Sequence, residues 1–136
     1  MKINFMLIDD SEIDLFVNQK NIEKLEIDSC IKSYTRAKMA VEYLGSLEDQ
    51  LSLEPMFVPD IILLDINMPE MNGFEFLNKF SELANEKLER TKIYMLSSTT
   101  NLSDMRDADE HTTCNGFINK PITKVKLEKI VNELMQ

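Results

Sequence analysis

Residues that break, kink or staple a chain are scarce: three glycines, four prolines and two cysteines in 136 residues. So little glycine and proline leaves no composition for a linker or a low-complexity tract, and no internal repeat is present. Cys30 and Cys114 lack zinc-type spacing, and Cys30 lies in an apolar run, which suits reduced, buried thiols in a cytosolic protein. Positive charge is also short, with 15 Lys and Arg against 24 Asp and Glu and a net charge of −9. Phosphate-backbone binding needs clustered cations, so nucleic acid is excluded as a direct partner, while solubility and a basic protein partner are favoured. Long hydrophobic runs are missing as well. The longest, Met56 to Ile66, is interrupted by Pro59, Asp60 and Asp65 and cannot span a membrane. The run Ile3–Ile8 is too short for a signal peptide and ends in two aspartates instead of a small-residue cleavage site. The expected location is the cytoplasm.

What remains is an ordinary globular chain, 43% hydrophobic and 29% charged, long enough for one core and too short for two. Apolar runs and helical stripes alternate along it. Ile3–Ile8 reads as a buried strand. A helix follows, with Ile13, Phe16 and Val17 opening its apolar stripe and Leu25 near its end. Ser29–Tyr34 is a more polar strand, suited to a sheet edge. Ala37, Ala40, Val41, Leu44 and Leu51 give a second helix that frays toward Pro55. Residues 60–64 form a third strand, and Ile61–Leu64 within it is apolar on both faces, as in parallel sheets.

A third helix begins near Gly73, with Leu77, Phe80, Ala84 and Leu88 on one side. Residues 92–96 give a fourth strand, 102–110 a short helix, 116–119 a fifth strand, and a last helix carries Leu127, Ile130, Val131 and Leu134. Five strand–helix alternations predict right-handed βαβ units. The fold class is α/β: a doubly wound, flavodoxin-like (βα)5 sheet in the order 2-1-3-4-5. Residues 1–136 are expected to be a single free-standing domain without an output domain.

The chemistry sits where the strands stop. Asp9 and Asp10 follow the first strand, Asp65 the third, Ser97 the fourth and Lys120 the fifth. Ligands in open α/β sheets bind beyond the carboxyl ends of the strands, and first and third strands are neighbours in this order. Three carboxylates would meet there, at a cost in free energy unless a cation joins them. A few oxygen ligands beside a phosphate suit Mg²⁺. A carboxylate can attack phosphorus to give an acyl phosphate, and Lys120 can neutralise the transferring oxygens. Singly, each residue has a plainer explanation. Asp10 and Ser11 are good helix caps, Asp65 could cap a turn before Pro69, and Lys120-Pro121 could simply lead into a helix. Their shared placement argues for a site.

These residues bring out a likeness. Ile8-Asp9-Asp10-Ser11, the run Leu64-Asp65-Ile66-Asn67-Met68-Pro69-Glu70-Met71-Asn72-Gly73, Met95-Leu96-Ser97-Ser98, and Gly116-Phe117-Ile118-Asn119-Lys120-Pro121 together resemble the response-regulator receiver domains of two-component signalling, of the chemotaxis-regulator type. The resemblance covers essentially the whole chain. It implies Asp65 as phosphoacceptor, and Asp9, Asp10, Asp65 and the Asn67 carbonyl as the Mg²⁺ ligands. Ser97 and Phe117 would be the switch pair, and Lys120 the family lysine, bonded to Pro121 through a cis peptide. The expected donor is a histidine kinase or histidine phosphotransfer protein, and the expected output is a partner-binding surface of the fourth helix, fifth strand and fifth helix. Such a module is no enzyme beyond its own phosphorylation and dephosphorylation, for which Asn67 and Thr99 would flank the attacking water. The chain departs from the family at Ser98, where alanine is usual, and at Thr113-Cys114, which replace a Gly-Ala pair.

Three other readings fit less well. A Mg-dependent aspartate-nucleophile phosphatase of the haloacid-dehalogenase type wants a carboxylate two positions after its nucleophile, where this chain has Asn67. A flavodoxin-like cofactor binder needs a hydroxyl- and glycine-rich phosphate loop where Asp9-Asp10 stand. A pseudo-receiver that only docks partners would not need the complete site.

Overall fold

Five segments, four of them mainly apolar, become parallel strands in the computed structural model, which describes residues 2–47, 56–98 and 102–135. They are β1 (Lys2–Ile8), β2 (Asp28–Tyr34), β3 (Ile61–Asp65), β4 (Lys92–Ser97) and β5 (Gly116–Asn119). Between and after them run α1 (Glu12–Glu23), α2 (Ala37–Ser46), α3 (Gly73–Leu83), α4 (Leu102–Glu110) and α5 (Lys124–Leu134). The sheet order is β2-β1-β3-β4-β5, as predicted.

Alternation along each strand sorts its side chains between two cores. Met6, Ile8, Ile62, Leu64, Ile93 and Met95 face one side, where Ala40 and Leu44 of α2, Phe76 and Leu77 of α3, and Ala108 of α4 cover them. Ile3, Phe5, Leu7, Ile61, Leu63, Tyr94 and Leu96 face the other, under Leu15 and Ile22 of α1 and Leu127, Ile130 and Val131 of α5. All five residues of β3 are buried, which is why that segment reads as unbroken hydrophobicity before its terminal aspartate. β2, at the edge, is nowhere fully buried.

Two helices differ from the sequence reading. In α1 the predicted stripe points outward: Ile13 is 76%, Phe16 61% and Val17 38% exposed. Leu15, Asn18 and Ile22, on the opposite side, face the sheet. Apolar residues occur on both sides of this helix, so periodicity cannot choose between them. Polar contacts at its flanks accompany this rotation: Asp14 reaches the Lys120 ammonium and the Asn21 amide donates to the Ile122 carbonyl at 2.8 Å. The stripe predicted for α3 is also cut short. Ala84 adopts the left-handed conformation at φ 45° and ends the helix, and Leu88 is buried from a separate 3-10 turn, Glu86–Leu88. Leu51 and Pro55 lie outside the described residues. Both cysteines are free and half-buried, less covered than the sequence suggested.

Gly73 joins the fold to the site. A β-carbon there would stand 2.7 Å from Met95 Cε and 3.0 Å from both the Asp65 carbonyl oxygen and Ile66 Cα. Two of these three neighbours are backbone, so α3 would have to withdraw from β3. Gly73→Ala should therefore lower stability by about 1–3 kcal/mol, as overpacking does. A lower urea midpoint at unchanged slope would record it; an unchanged midpoint would mean that α3 yields freely.

Candidate functional site

Strand register assembles the site. Ile8 pairs with Leu64 across β1 and β3, so Asp9 and Asp65, the next residues, come side by side. Asp65 pairs with Leu96, and Ser97 with Asn119, which carries Ser97 and Lys120 to the same edge. Main-chain bonds extend this order past the strand ends: Ile66 N–H donates to the Leu96 carbonyl at 3.2 Å, and Lys120 N–H to that of Ser97 at 2.8 Å. Asp65 and Ser97, predicted to follow their strands, are the last residues of them.

The carboxylates of Asp9, Asp10 and Asp65 offer oxygens all within 4.8 Å of one another, Asp9 and Asp65 buried and Asp10 exposed. One Asp9 oxygen accepts from the Ser11 N–H at 2.9 Å, which also steers the chain into α1, whose cap is the Ser11 hydroxyl. Its other oxygen accepts from Lys120 Nζ at 2.7 Å. The same ammonium lies 3.3 Å from Asp65 Oδ1 and 2.8 Å from Asp14 Oδ2. The Lys120–Pro121 bond is cis, as the resemblance implied.

Charge at this edge is unbalanced. Burial, then the neighbouring charge of Asp9, pushes the Asp65 carboxyl from an ordinary 3.8 up to about 6, against the pull of Lys120. Burial disfavours the Lys120 charge, yet the hydrogen bonds it donates to Asp14 and Asp9, with the Asp65 charge, hold it well above the usual lysine range. Among the described residues a single ammonium thus faces several carboxylates. The surplus anions, all with oxygen donors, fit a hard divalent cation held by Asp9, Asp10 and Asp65.

The other predicted residues lie around this centre. Asn67 is exposed between buried Ile66 and Met68, in the loop that closes through a 2.8 Å bond from Gly73 N–H to the Ile66 carbonyl. Within that loop Glu70 is left-handed, at φ 69°. Ser97 is fully buried. Phe117, opposite Met95, is half-buried against the core that includes Ala108 of α4. Thr99 lies outside the described residues. Asp14 was not anticipated, because an acidic residue in the first turn of a helix ordinarily answers the helix dipole. A cleft of about 250 Å³ lined by Asp14, Val17, Asn18, Ser98, Lys120 and Pro121 opens beside it. A larger depression of about 450 Å³ lies at the other end of the sheet, lined by Asn85, Lys92 and Asn115 among others, away from this chemistry.

Known proteins share both sequence and fold. The family profile described as response regulator receiver domain matches residues 5–132. Two-component response regulator ARR16 of Arabidopsis thaliana is 31% identical over 141 residues, covering 98% of this chain and 81% of the relative. A two-component response regulator from Cytophaga hutchinsonii superposes with a TM-score of 0.86 at 28% identity, over 99% of this chain and 98% of that one. A response regulator receiver protein from Dyadobacter fermentans gives 0.82 at 28% identity, over 98% of each chain.

Proposed function

Because the chain belongs to the response regulator receiver domain family, we propose that it accepts a phosphoryl group on Asp65 and converts that event into a change of surface. The observation that carries this reading is the convergence of Asp9, Asp10 and Asp65 with the Lys120 ammonium at one end of the sheet. The donor is a phosphohistidine on a histidine kinase or phosphotransfer protein, as for this family in general. An Asp65 oxygen attacks phosphorus, the N–P bond breaks, and its electron pair returns to an imidazole that leaves neutral, protonated on its other nitrogen. Lys120 sits 3.3 Å from Asp65 and can neutralise an equatorial oxygen of the transferring group. Asp9, Asp10 and Asp65, with the Asn67 carbonyl, would hold Mg²⁺, which when bound supplies positive charge to the phosphoryl oxygens. Burial of Asp9 and Asp65 keeps bulk water from diluting these interactions.

Incubation with acetyl phosphate, with and without Mg²⁺, followed by peptide mapping, tests the assignment. A phosphoryl adduct confined to Asp65 and dependent on Mg²⁺ is expected; an adduct elsewhere, or none, removes it.

A phosphoryl group adds roughly −1.5 to −2 charges at that point. Ser97 lies at the same strand edge, and its hydroxyl would turn to the new oxygens, opening space toward which Phe117 moves. The surface of α4, β5 and α5 would then rearrange for a downstream protein. One charge-assisted hydrogen bond contributes about 1.5–3 kcal/mol, short of the roughly 5.5 kcal/mol needed to invert a 1:99 population. Lys120 and the cation must supply the rest. Ser97→Ala is accordingly expected to retain phosphoryl uptake while shrinking the shift between states roughly ten- to a hundredfold. NMR signals of Phe117 and α4, with and without beryllofluoride, report it. Full-amplitude shifts in the variant would take the hydroxyl out of the switch.

A further inference from the structure

The Lys120 ammonium has three protons to give, and three carboxylates surround it. Asp9 and Asp65 belong to the acidic group that could hold a cation, and Asp14 does not. Yet Asp14 Oδ2 lies 2.8 Å from Nζ, against 3.3 Å for Asp65 Oδ1. The ammonium is nearer to a carboxylate with no part in the phosphoryl chemistry than to the nucleophile it serves.

Asp14 is held in that place by its backbone. It stands in the first turn of α1, where its N–H donates to the capping Ser11 hydroxyl at 3.2 Å. Leu15, Asn18 and Ile22 seat the same helix against the sheet. The Asp14 carboxylate can therefore travel only as far as one short side chain allows, much less than the lysine ammonium. Lys120 is fixed in turn by its own N–H bond to the Ser97 carbonyl. Only the lysine side chain is left to choose between partners.

Resting on the assignment of Asp65 as phosphoacceptor, we propose that Asp14 is a positioning residue that detains the Lys120 ammonium, so that a phosphoryl group on Asp65 must compete with a fixed carboxylate for it. Asp14 sets how strongly the site holds its phosphoryl group without touching that group. Asp14 is on the outer side of the ammonium, with its side chain 40% exposed where those of Asp9 and Asp65 are 3% and 9%. Solvent screens the contact, so its effect is a matter of tuning. Exposed pairs of this kind correspond to changes of up to roughly fivefold.

The experiment compares wild type, Asp14→Asn and Asp14→Glu for Mg²⁺-dependent beryllofluoride binding, by calorimetry and by 19F NMR of the bound fluoride. The asparagine variant should bind the probe roughly two- to fivefold more tightly, and the fluorine resonance nearest Lys120 should move. The glutamate variant, which keeps the charge, should stay near wild type in both. Equal or weaker binding by Asp14→Asn, with an unmoved fluorine spectrum, overturns the proposal, as does a glutamate variant that behaves like asparagine. If wild type binds no beryllofluoride at all, the failure lies in the assignment of Asp65 and takes this inference with it.

Discussion

Asparagine in place of Asp65 is expected to abolish phosphoryl uptake and, in the same molecule, to raise the stability of the metal-free protein at neutral pH. The first effect follows from chemistry: an amide is no nucleophile toward phosphorus here, and no mass increment should appear after acetyl phosphate and Mg²⁺. The second follows from the strained ionisation of Asp65, displaced from 3.8 to about 6 by burial and by Asp9. Below about pH 4 the carboxyl is protonated folded and unfolded alike, so its burial costs nothing extra. As pH rises through 6 the unfolded chain has already released a proton that the folded chain still holds, and folding loses free energy. Above 6 the loss is complete, at about 3 kcal/mol. Asparagine escapes it. The difference in urea-derived stability between variant and wild type should thus be near zero at acid pH, open between pH 4 and 6, and level off above. A constant difference across that range would show that Asp65 ionises without penalty.

Removing the ammonium should act in the opposite direction. Lys120→Met keeps an unbranched stem of similar length and leaves Asp9 and Asp65 facing each other, with side chains only 3% and 9% exposed. Breaking a buried pair by deleting one partner costs on the order of 3–5 kcal/mol. The lower part of that range is expected here, because Asp65 can take up a proton instead of bearing an uncompensated charge. The loss should shrink toward acid pH and be recovered in part by Mg²⁺, which replaces the missing positive charge. Phosphoryl uptake should fall steeply even when stability is restored. Unfolding curves at pH 7 with and without Mg²⁺ would separate the two effects, and an unchanged midpoint without Mg²⁺ would show that the lysine neutralises nothing.

How much of this was legible in the sequence depends on where each signal is written. Strands announce themselves through contiguous burial, so Ile61–Leu64 was readable; the sheet order followed from the doubly wound fold class, and the bounds of β5 matched residue for residue. The candidate site was readable because chemistry clusters at carboxyl ends of strands, and register then brings Asp9, Asp65, Ser97 and Lys120 to one edge. Helix rotation was not. α1 carries apolar side chains on both sides, and its buried face includes a polar residue, Asn18. Burial of Leu15 and Ile22 and the contacts of Asp14 and Asn21 to distant parts of the chain go with the side that turns inward, and such contacts leave no periodic trace. Asp14 escaped notice for the same reason. Its meaning lies in a residue 106 positions away. The end of α3 was hidden because alanine is a strong helix former and gives no warning of a left-handed turn at Ala84.

The division of the described interior into two cores, one on each face of the sheet, has a bearing on how news of an event at one edge would spread. Neighbouring residues of β5 belong to different compartments: Phe117 packs with the layer containing α4, and Ile118 with the layer containing α5. A displacement of the aromatic ring would therefore press first on the layer of the short helix α4, where Ala108 is buried. Behind the wall of the sheet, α5 is seated on Leu127, Ile130 and Val131, and β5 would pass the change on to it afterwards. The two hemispheres would thus receive the event in sequence, and a listener that spans both would meet one side already moved and the other following.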